Sequence, residues 1–254
     1  MKKIMMMAVL MVAAVSAHAQ SKAEPYFTSK EMPDMLKWCP APPDTVGPHF
    51  AYDIMQYFWG KEMRNNKERA DIAVRDAVYG LDCIIREFSE PFGLNISMEE
   101  TPEIYKVLRD GTATCDIICQ LPKRYYMRKR PFMRFNEPTL YPADEPHLRT
   151  NGSYPSGHTL LGWSSALLLS EINPDRADTI LARGYMYGES RVIVGAHWQS
   201  DVDAARLAAS AAYARLHTSE RFLTQMRLAR QEFRVVTGTA TPAEIKAYKK
   251  AHKK

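Results

Sequence analysis

Residues 154–169 read YPSGHTLLGWSSALLL, a short polar turn followed at once by an apolar run. The run from Thr159 to Leu169 is broken by Ser164 and Ser165, and it is much shorter than the roughly 20 residues that a helix needs to cross a membrane. It therefore predicts a helix in the protein core.

Most of the remaining chain also has the apolar spacing of helices. From Ala73 to Phe88, apolar side chains recur every three or four residues. Helix starts are predicted at Thr101-Pro102 and Asn173-Pro174, because proline is favoured at the first position of a helix. Ser200 to Asp203 and Thr241 to Glu244 resemble capping boxes. No run alternates in polarity beside a hairpin turn, so the predicted fold class is all-α, a single-domain helical bundle.

The N terminus has the pattern of a secretory signal peptide. Lys2 and Lys3 precede an apolar stretch from Ile4 to Ala14, and Ala17-His18-Ala19 matches the small-x-small pattern of a cleavage site. We expect cleavage after Ala19 and a mature protein that is periplasmic or secreted.

The predicted organisation of the chain has four parts. Residues 1–19 are the signal peptide, and residues 20–50, which are rich in proline, form an irregular arm over the domain. Residues 51–237 are the helical domain, and residues 238–254 are a basic tail. A short final helix is predicted to begin at Thr241, and the lysine-rich end, residues 246–254, is expected to be a solvated, frayed terminus, with contact to an anionic surface as the alternative. Of the 254 residues, 46% are hydrophobic and 25% are charged, as in ordinary globular proteins. The net charge of +5 is too weak to indicate a nucleic-acid partner.

The four cysteines, Cys39, Cys83, Cys115 and Cys119, permit three complete disulfide pairings. The sequence does not decide which of these pairings forms, or whether the cysteines instead remain free. Buried free thiols behave as small hydrophobic groups. Cys115 and Cys119 are one helical turn apart, but no other Cys or His lies near them in the chain. A metal site at these two residues is therefore not expected.

The polar turn before the core helix is a candidate anion site. Ser156 and Gly157 place free backbone N–H groups and the positive end of the helix dipole towards an anion. Gly157 allows close approach, Ser156 adds a hydroxyl, and His158 can hold or release a proton near neutral pH.

A second candidate is the basic stretch from Lys123 to Arg130. The two residues are seven apart, so on one helix they would lie on the same face, two turns along, and could converge on one anion. Pro131 disfavours helical geometry at Arg130 and predicts that the helix ends there.

A third candidate runs from Ser190 to Asp201. The four-residue spacing of His197 and Asp201 lets the carboxylate accept a hydrogen bond from one imidazole nitrogen, which leaves the other unprotonated and able to attack. Arg191 adds a planar, permanently charged group that suits phosphate oxygens.

In this order, Lys-x6-Arg-Pro, Pro-Ser-Gly-His and Ser-Arg-x5-His-x3-Asp resemble the three-part signature of the phosphatidic acid phosphatase type 2 and vanadium haloperoxidase superfamily. Every defining position is matched: Lys123, Arg130, Pro131, Pro155, Ser156, Gly157, His158, Ser190, Arg191, His197 and Asp201. The chain length, the signal peptide and the lack of spanning segments narrow the resemblance to bacterial class A non-specific acid phosphatases. The resemblance covers about residues 51–233 and identifies residues 51–237 as the phosphatase domain.

The resemblance implies a secreted acid phosphatase that hydrolyses phosphate monoesters through a phosphohistidine, with no metal ion or other cofactor. His197 would attack phosphorus, Asp201 would orient it, and His158 would protonate the leaving group and then activate water. The residues implied to bind phosphate are Lys123, Arg130, Ser156, Gly157 and Arg191. The expected partners are small phosphomonoesters, without nucleic acid or membrane insertion, and a homo-oligomer is implied by the family.

Three other functions fit parts of the pattern. A vanadium-dependent haloperoxidase uses the same pocket, although such enzymes tend to be longer than this chain. A lipid phosphate or pyrophosphate phosphatase is disfavoured by the lack of spanning segments. A phosphate-binding protein without activity would need the cations but not both His197 and His158.

Overall fold

The described part of the chain is helical and contains no strand. The structure is a computed structural model and describes residues 22–252. Short 3-10 turns lie at Pro142–Asp144 and Pro174–Arg176. The predicted all-α fold class is confirmed, and the predicted signal peptide lies outside the described residues. The α-helices, labelled in chain order, are α1 (Met35–Trp38), α2 (Pro48–Met63), α3 (Lys67–Asp76), α4 (Leu81–Phe92), α5 (Pro102–Tyr126), α6 (Pro131–Phe135), α7 (Glu145–Arg149), α8 (Gly157–Ile172), α9 (Ala177–Val194), α10 (Gln199–Leu216), α11 (Glu220–Val236) and α12 (Pro242–Ala251).

Helix α8 lies at the centre of the bundle. It packs against α5, α9 and α10, and its residues Leu160, Leu168 and Leu169 are fully buried. A helix that is apolar on most sides is stable only when other elements surround it, so the predicted core helix is confirmed. Within residues 22–252, none of the helices combines the length and the apolar character that membrane crossing requires.

Helices α8 and α9 approach closely because a glycine faces the contact. A Cβ atom on Gly184 of α9 would lie 2.5 Å from the Cβ of Ala166 in α8, well inside van der Waals distance. We therefore expect Gly184→Ala to lower the free energy of unfolding by about 1–3 kcal/mol, a typical cost of overpacking. Urea unfolding followed by circular dichroism measures this loss.

The matched control is the double variant Gly184→Ala/Ala166→Gly, which removes the same methyl group from the opposite helix. Its free energy of unfolding should return most of the way to the parent value. Equal destabilisation of the single and double variants would contradict the steric explanation.

The helix predicted across Ala73 to Phe88 is two helices. Helix α3 ends at Asp76, α4 begins at Leu81, and Gly80 between them has a φ of 135°. Glycine adopts this geometry without the steric cost that other residues meet, so the chain turns there although the apolar spacing continues. The turn carries Tyr79 to the wall of the cavity described below.

The start of α10 also differs from its prediction. Trp198 is the N-cap residue, and its backbone N–H donates to the carboxylate of Asp201 at 2.9 Å. Ser200 lies inside the helix, where its backbone N–H and its hydroxyl donate to Asp53 of α2. The predicted box at Ser200 to Asp203 is therefore wrong by two residues, because a carboxylate distant in the chain binds Ser200.

The proline-rich segment before α2 lies against α5 and α11. The backbone N–H of Tyr26 donates to the Thr114 hydroxyl at 2.9 Å, and the Tyr26 ring packs edge-on against Phe222. Further along, the Tyr154 hydroxyl donates to the carbonyl of Pro40 at 2.6 Å. The segment is thus tied both to the bundle and to the turn that precedes α8.

The C-terminal segment folds onto the bundle as α12. The helix starts at the capping box predicted at Thr241. The Tyr248 hydroxyl donates to Glu232 at 2.7 Å, and His252 Nε2 lies 3.0 Å from a carboxylate oxygen of Glu103. The predicted short final helix is confirmed. The lysine side chains of α12 are exposed, as expected of a solvated end, but residues 246–252 are not frayed, because buried Glu232 provides a partner that the tail sequence does not reveal.

Candidate active site

The predicted site residues meet at one end of the bundle. Lys123 lies in the last turn of α5 and Arg191 in the last turn of α9, while His158 is in the first turn of α8 and Asp201 in the first turn of α10. Two helix C termini and two helix N termini therefore converge, and the N terminus of α8 contributes its positive dipole end. The three sequence motifs form one site.

His197 lies in the turn between α9 and α10 and is held at both ring nitrogens. Its Nδ1 is 3.4 Å from Asp201 Oδ2, and Arg130 Nη1 is 2.8 Å from its Nε2. Because a guanidinium only donates, Nε2 accepts and the ring proton is on Nδ1. Burial and the charge of Arg130 hold the pKa of His197 well below its usual value. The ring is therefore neutral near neutral pH, the form in which an imidazole can attack an electrophile.

The Asp201 carboxylate also accepts hydrogen bonds from groups other than His197. Arg128 Nη1 donates to Oδ1 at 2.6 Å, while the Ser153 hydroxyl and the Trp198 backbone N–H donate to Oδ2. Burial acts to raise the pKa of Asp201, but the Arg128 charge and the hydrogen bonds outweigh burial and hold the pKa well below its usual range. Asp201 is thus an anion that can orient His197 and stabilise its positive form.

Sequence reasoning missed three residues of this network: Arg128, Ser153 and Asp53. Arg128 Nη2 donates to Asp53 at 2.8 Å, and Asp53 is fully buried. Arg128 lies within the basic stretch and Ser153 directly precedes the polar turn, so their closeness to the motifs was an available signal. Asp53, in α2, had no such signal.

Lys123 and Arg130 converge as predicted, but they are not on one helix. Helix α5 ends at Tyr126, and Met127 has a left-handed φ of 39°, so Arg130 lies beyond the helix. Lys123 Nζ and Arg130 Nη2 both donate to the carbonyl oxygen of Gly152, at 3.1 and 3.2 Å. Burial lowers the pKa of Lys123 to about 8, which leaves it protonated at neutral and acidic pH.

Arg191 is a buried cation whose guanidinium has no hydrogen bond to any residue within 22–252. Its side chain is 0% exposed, and the unpaired atoms are Nε, Nη1 and Nη2. Asp144 Oδ2 comes to 3.9 Å from Nη2, which is too far for a hydrogen bond. By contrast, Arg183 on the same helix donates to both Asp76 and Glu87. Because a buried charge without hydrogen bonds is costly, an anion that supplied the missing acceptors would stabilise Arg191.

His158 is fixed through one nitrogen and available at the other. Its Nε2–H donates to the Ala77 carbonyl at 2.9 Å, and the ring packs edge-on with Tyr79 at 4.9 Å between centroids. Burial and then the charge of Arg191 hold the pKa of His158 well below its usual value. Proton exchange with a ligand would therefore use Nδ1, which gains a proton only under acidic conditions.

Ser156 and Gly157 form the start of α8, as predicted. Ser156 Oγ accepts from the Thr159 backbone N–H at 3.3 Å and from the Thr159 hydroxyl at 2.9 Å. A Cβ on Gly157 would lie 3.7 Å from Cε of Lys123. A methyl group at this position would therefore occupy space beside Lys123 in ordinary van der Waals contact.

A cavity of 280 Å³ lies among these groups. Its volume is close to the lower end of the range for ligand pockets, which suits a small ligand. Three predicted site residues do not line the cavity but lie next to residues that do: Ser156, Arg191 and Asp201. The predicted site residues that line the cavity are Lys123, Arg130, Gly157, His158 and His197.

Among the described residues, no three His, Cys, Asp or Glu side chains form a group that could hold a metal ion. All four cysteines are buried and unpaired, in agreement with the free-thiol interpretation. Burial raises the pKa of the Cys115 thiol to about 12, so this group is an inert part of the core.

Comparison with known proteins gives consistent results. Residues 111–222 match the PAP2 superfamily. A non-specific acid phosphatase of Providencia stuartii is 44% identical over 209 residues, which cover 82% of this chain and 84% of that protein. A non-specific acid phosphatase of Salmonella typhimurium is 40% identical over 217 residues, with 82% and 84% covered. An acid phosphatase of Zymomonas mobilis is 34% identical over 233 residues, with 91% and 88% covered.

With its helical fold and its convergent cationic site, the chain belongs to the PAP2 superfamily and, within it, to the bacterial class A non-specific acid phosphatases. The family resemblance inferred from the sequence is therefore confirmed. So is the assignment of the chain as an enzyme of the phosphoric monoester hydrolase class.

Proposed function

We propose that this protein hydrolyses small phosphate monoesters through a phosphohistidine on His197, without a metal ion. The observation that carries the proposal is the buried Arg191 guanidinium, whose three nitrogens lack hydrogen bonds within the described chain. A phosphoryl group has several acceptor oxygens and supplies what this site lacks. The proposal includes secretion after removal of residues 1–19 and a homo-oligomeric assembly, which the sequence and the family suggest.

In the first step, the Nε2 lone pair of His197 attacks phosphorus and the bond to the ester oxygen breaks. His158 Nδ1–H gives its proton to the leaving oxygen. The proton on His197 Nδ1 stays in its hydrogen bond to Asp201, whose negative charge stabilises the cationic ring. Since Arg130 donates to Nε2 at 2.8 Å, a bound phosphoryl oxygen has to take over that hydrogen bond before attack.

In the second step, His158 Nδ1 accepts a proton from water, and the water oxygen attacks phosphorus. The phosphorus–nitrogen bond breaks and its electron pair returns to His197 Nε2. Throughout, Lys123, Arg130 and Arg191 compensate the charge on the phosphoryl oxygens. Fixed cations can thus serve where many phosphoryl-transfer enzymes use Mg²⁺.

The experiment that tests metal independence is phosphate release from p-nitrophenyl phosphate at about pH 6, because the leaving group of this substrate needs no proton from an acid catalyst. We expect the purified protein to keep its full rate after dialysis against EDTA. Loss of activity on chelation, with recovery when Mg²⁺ or Zn²⁺ is added back, would contradict the proposal.

Changing the leaving group tests the role of His158. We expect His158→Asn to lower kcat/KM for an alkyl phosphate such as glycerol 3-phosphate by about 10²–10⁴-fold, the usual contribution of general acid catalysis. The loss for p-nitrophenyl phosphate should be much smaller, because its leaving group needs no proton. Equal losses for the two substrates would show that His158 does not protonate the leaving group.

The same assignment sets the direction of the pH dependence. Since the pKa of His158 is lowered, its protonated fraction falls as pH rises through the acidic range. In the parent, kcat/KM for the alkyl phosphate should therefore fall with rising pH. A rate that still increases above about pH 8 would be inconsistent with a protonated His158.

A further inference from the structure

Asp144 is a carboxylate that the proposed mechanism does not use, yet it faces the phosphate site. It lies in the 3-10 turn Pro142–Asp144 and is part of the cavity lining. Its Oδ2 atom is buried and has no hydrogen bond within residues 22–252, and it is 3.9 Å from Nη2 of Arg191. A fully buried guanidinium and a partly exposed carboxylate, whose Oδ2 atom is buried, thus face each other without a hydrogen bond between them.

The segment around Asp144 is tied down, so this placement is built into the fold. The backbone N–H of Leu140 donates to the Val194 carbonyl at the end of α9, at 2.9 Å. On the other side of the turn, Arg130 Nε donates to the Leu148 carbonyl at 2.9 Å. Val194 is on the same helix as Arg191, and Arg130 belongs to the same site. The two hydrogen bonds therefore hold Asp144 at a fixed distance from Arg191.

The surroundings of Asp144 are mainly cationic or titratable. Arg191 approaches it from α9, and the Asp144 charge acts to raise the pKa of both Arg191 and Arg130. The other titratable groups that share the cavity lining with Asp144 are Tyr79, Asp116, Lys123, His147, His158 and His197.

We propose that Asp144 selects a monoprotonated phosphoryl group, accepting a hydrogen bond from its P–OH while Arg191 donates to its unprotonated oxygens. The inference rests on the proposed phosphate site but not on the phosphohistidine. An ionised carboxylate can only accept, so it repels an unprotonated oxygen and binds a protonated one. The ligand then supplies both a hydrogen-bond donor for Asp144 and acceptor oxygens for Arg191.

This arrangement gives the acid preference a second origin, in the substrate. The second pKa of a phosphomonoester is about 6, so the monoanion with its P–OH is the main species only under acidic conditions. An enzyme that binds the monoanion loses affinity as the substrate ionises, even if none of its own groups titrates.

The test compares two tetrahedral anions, inorganic phosphate and sulfate, by isothermal titration calorimetry. The binding of either anion depends on the protonation of the protein's own groups, but only phosphate itself gains or loses a proton between about pH 5 and about pH 8. The ratio of their dissociation constants therefore isolates the protonation of the ligand. We expect the parent to prefer phosphate at low pH and to lose this preference by about tenfold per pH unit above the second ionisation of phosphate.

The decisive variant is Asp144→Asn, which keeps the shape and replaces an acceptor by an N–H donor. We expect it to bind sulfate at least about tenfold more tightly than the parent does, and to show a ratio that no longer changes with pH. The control is Asp116→Asn. Asp116 lines the same cavity, but its oxygens already accept from Tyr79 and Gln120, so the ratio should keep its pH dependence.

Two outcomes would overturn the inference. One is a parent ratio that does not change with pH. The other is an Asp144→Asn variant that binds both anions more tightly by the same factor, since Asp144 would then only balance charge. Neither readout needs turnover, and the titrations can be repeated in His197→Ala. A failure of the phosphohistidine mechanism therefore remains distinguishable from a failure of this inference.

Discussion

Replacing His197 by alanine is expected to lower kcat/KM for p-nitrophenyl phosphate by on the order of 10⁴-fold or more, as loss of a nucleophile does in other enzymes. The structural reason is that His197 has an unprotonated Nε2 in the cavity and a carboxylate, Asp201, behind its Nδ1. No other histidine within residues 22–252 combines a place in the cavity lining with an Asp or Glu at its other nitrogen. The measurement is steady-state hydrolysis with EDTA present.

A trapping experiment separates the nucleophile from a general positioning role. Acid-sensitive, alkali-stable radioactivity should be recovered on the parent after brief reaction with a ³²P-labelled monoester, and none on His197→Ala. The control is His49→Ala, because His49 is an exposed histidine outside the cavity lining. Labelling of His197→Ala at the parent level would mean that another group attacks phosphorus.

The second large effect is expected for Arg191→Met, and it has opposite signs in activity and stability. Loss of a cation that stabilises the phosphoryl oxygens should reduce kcat/KM by about 10³-fold or more. Removal of a fully buried charge that makes no hydrogen bond should at the same time raise the free energy of unfolding by on the order of 1–4 kcal/mol. The carboxylate opposite it, Asp144, is 3.9 Å away and 21% exposed, so part of Asp144 stays in contact with water in the variant. Enzyme kinetics and urea unfolding measure the two effects on the same preparation.

The matched control for this prediction is Arg183→Met on the same helix. Arg183 is also largely buried, but it is paired with Asp76 and Glu87, so its removal leaves uncompensated carboxylates. We expect a loss of about 3–5 kcal/mol of stability, the usual cost of breaking a buried ion pair. If Arg191→Met were destabilised to the same degree, Arg191 would be a structural cation rather than a ligand-binding one.

Much of the site could be predicted because many of its functional residues lie close to one another in the sequence. His197 and Asp201 are separated by a single turn, and Ser156 to His158 open a helix whose apolar sequence marks it as core. Residue types and spacing suffice for such features, since a helix start or a four-residue separation has the same geometry in most folds. At Arg130 and at Ser200, two of the positions where the prediction was corrected, a backbone turn or a distant partner overrides the local pattern.

What the sequence by itself determined was the helical class of the chain and the set of side chains that carry the chemistry. Only the tertiary structure decided which charges are neutralised and which are left for a ligand. The side chains of Arg128, Arg183 and Arg191 are all at most 10% exposed, yet the first two bind carboxylates on helices distant in the sequence while Arg191 faces Asp144 across 3.9 Å. That difference depends on which helices pack together, because an ion pair is made by distance in space, and distance along the chain does not specify it.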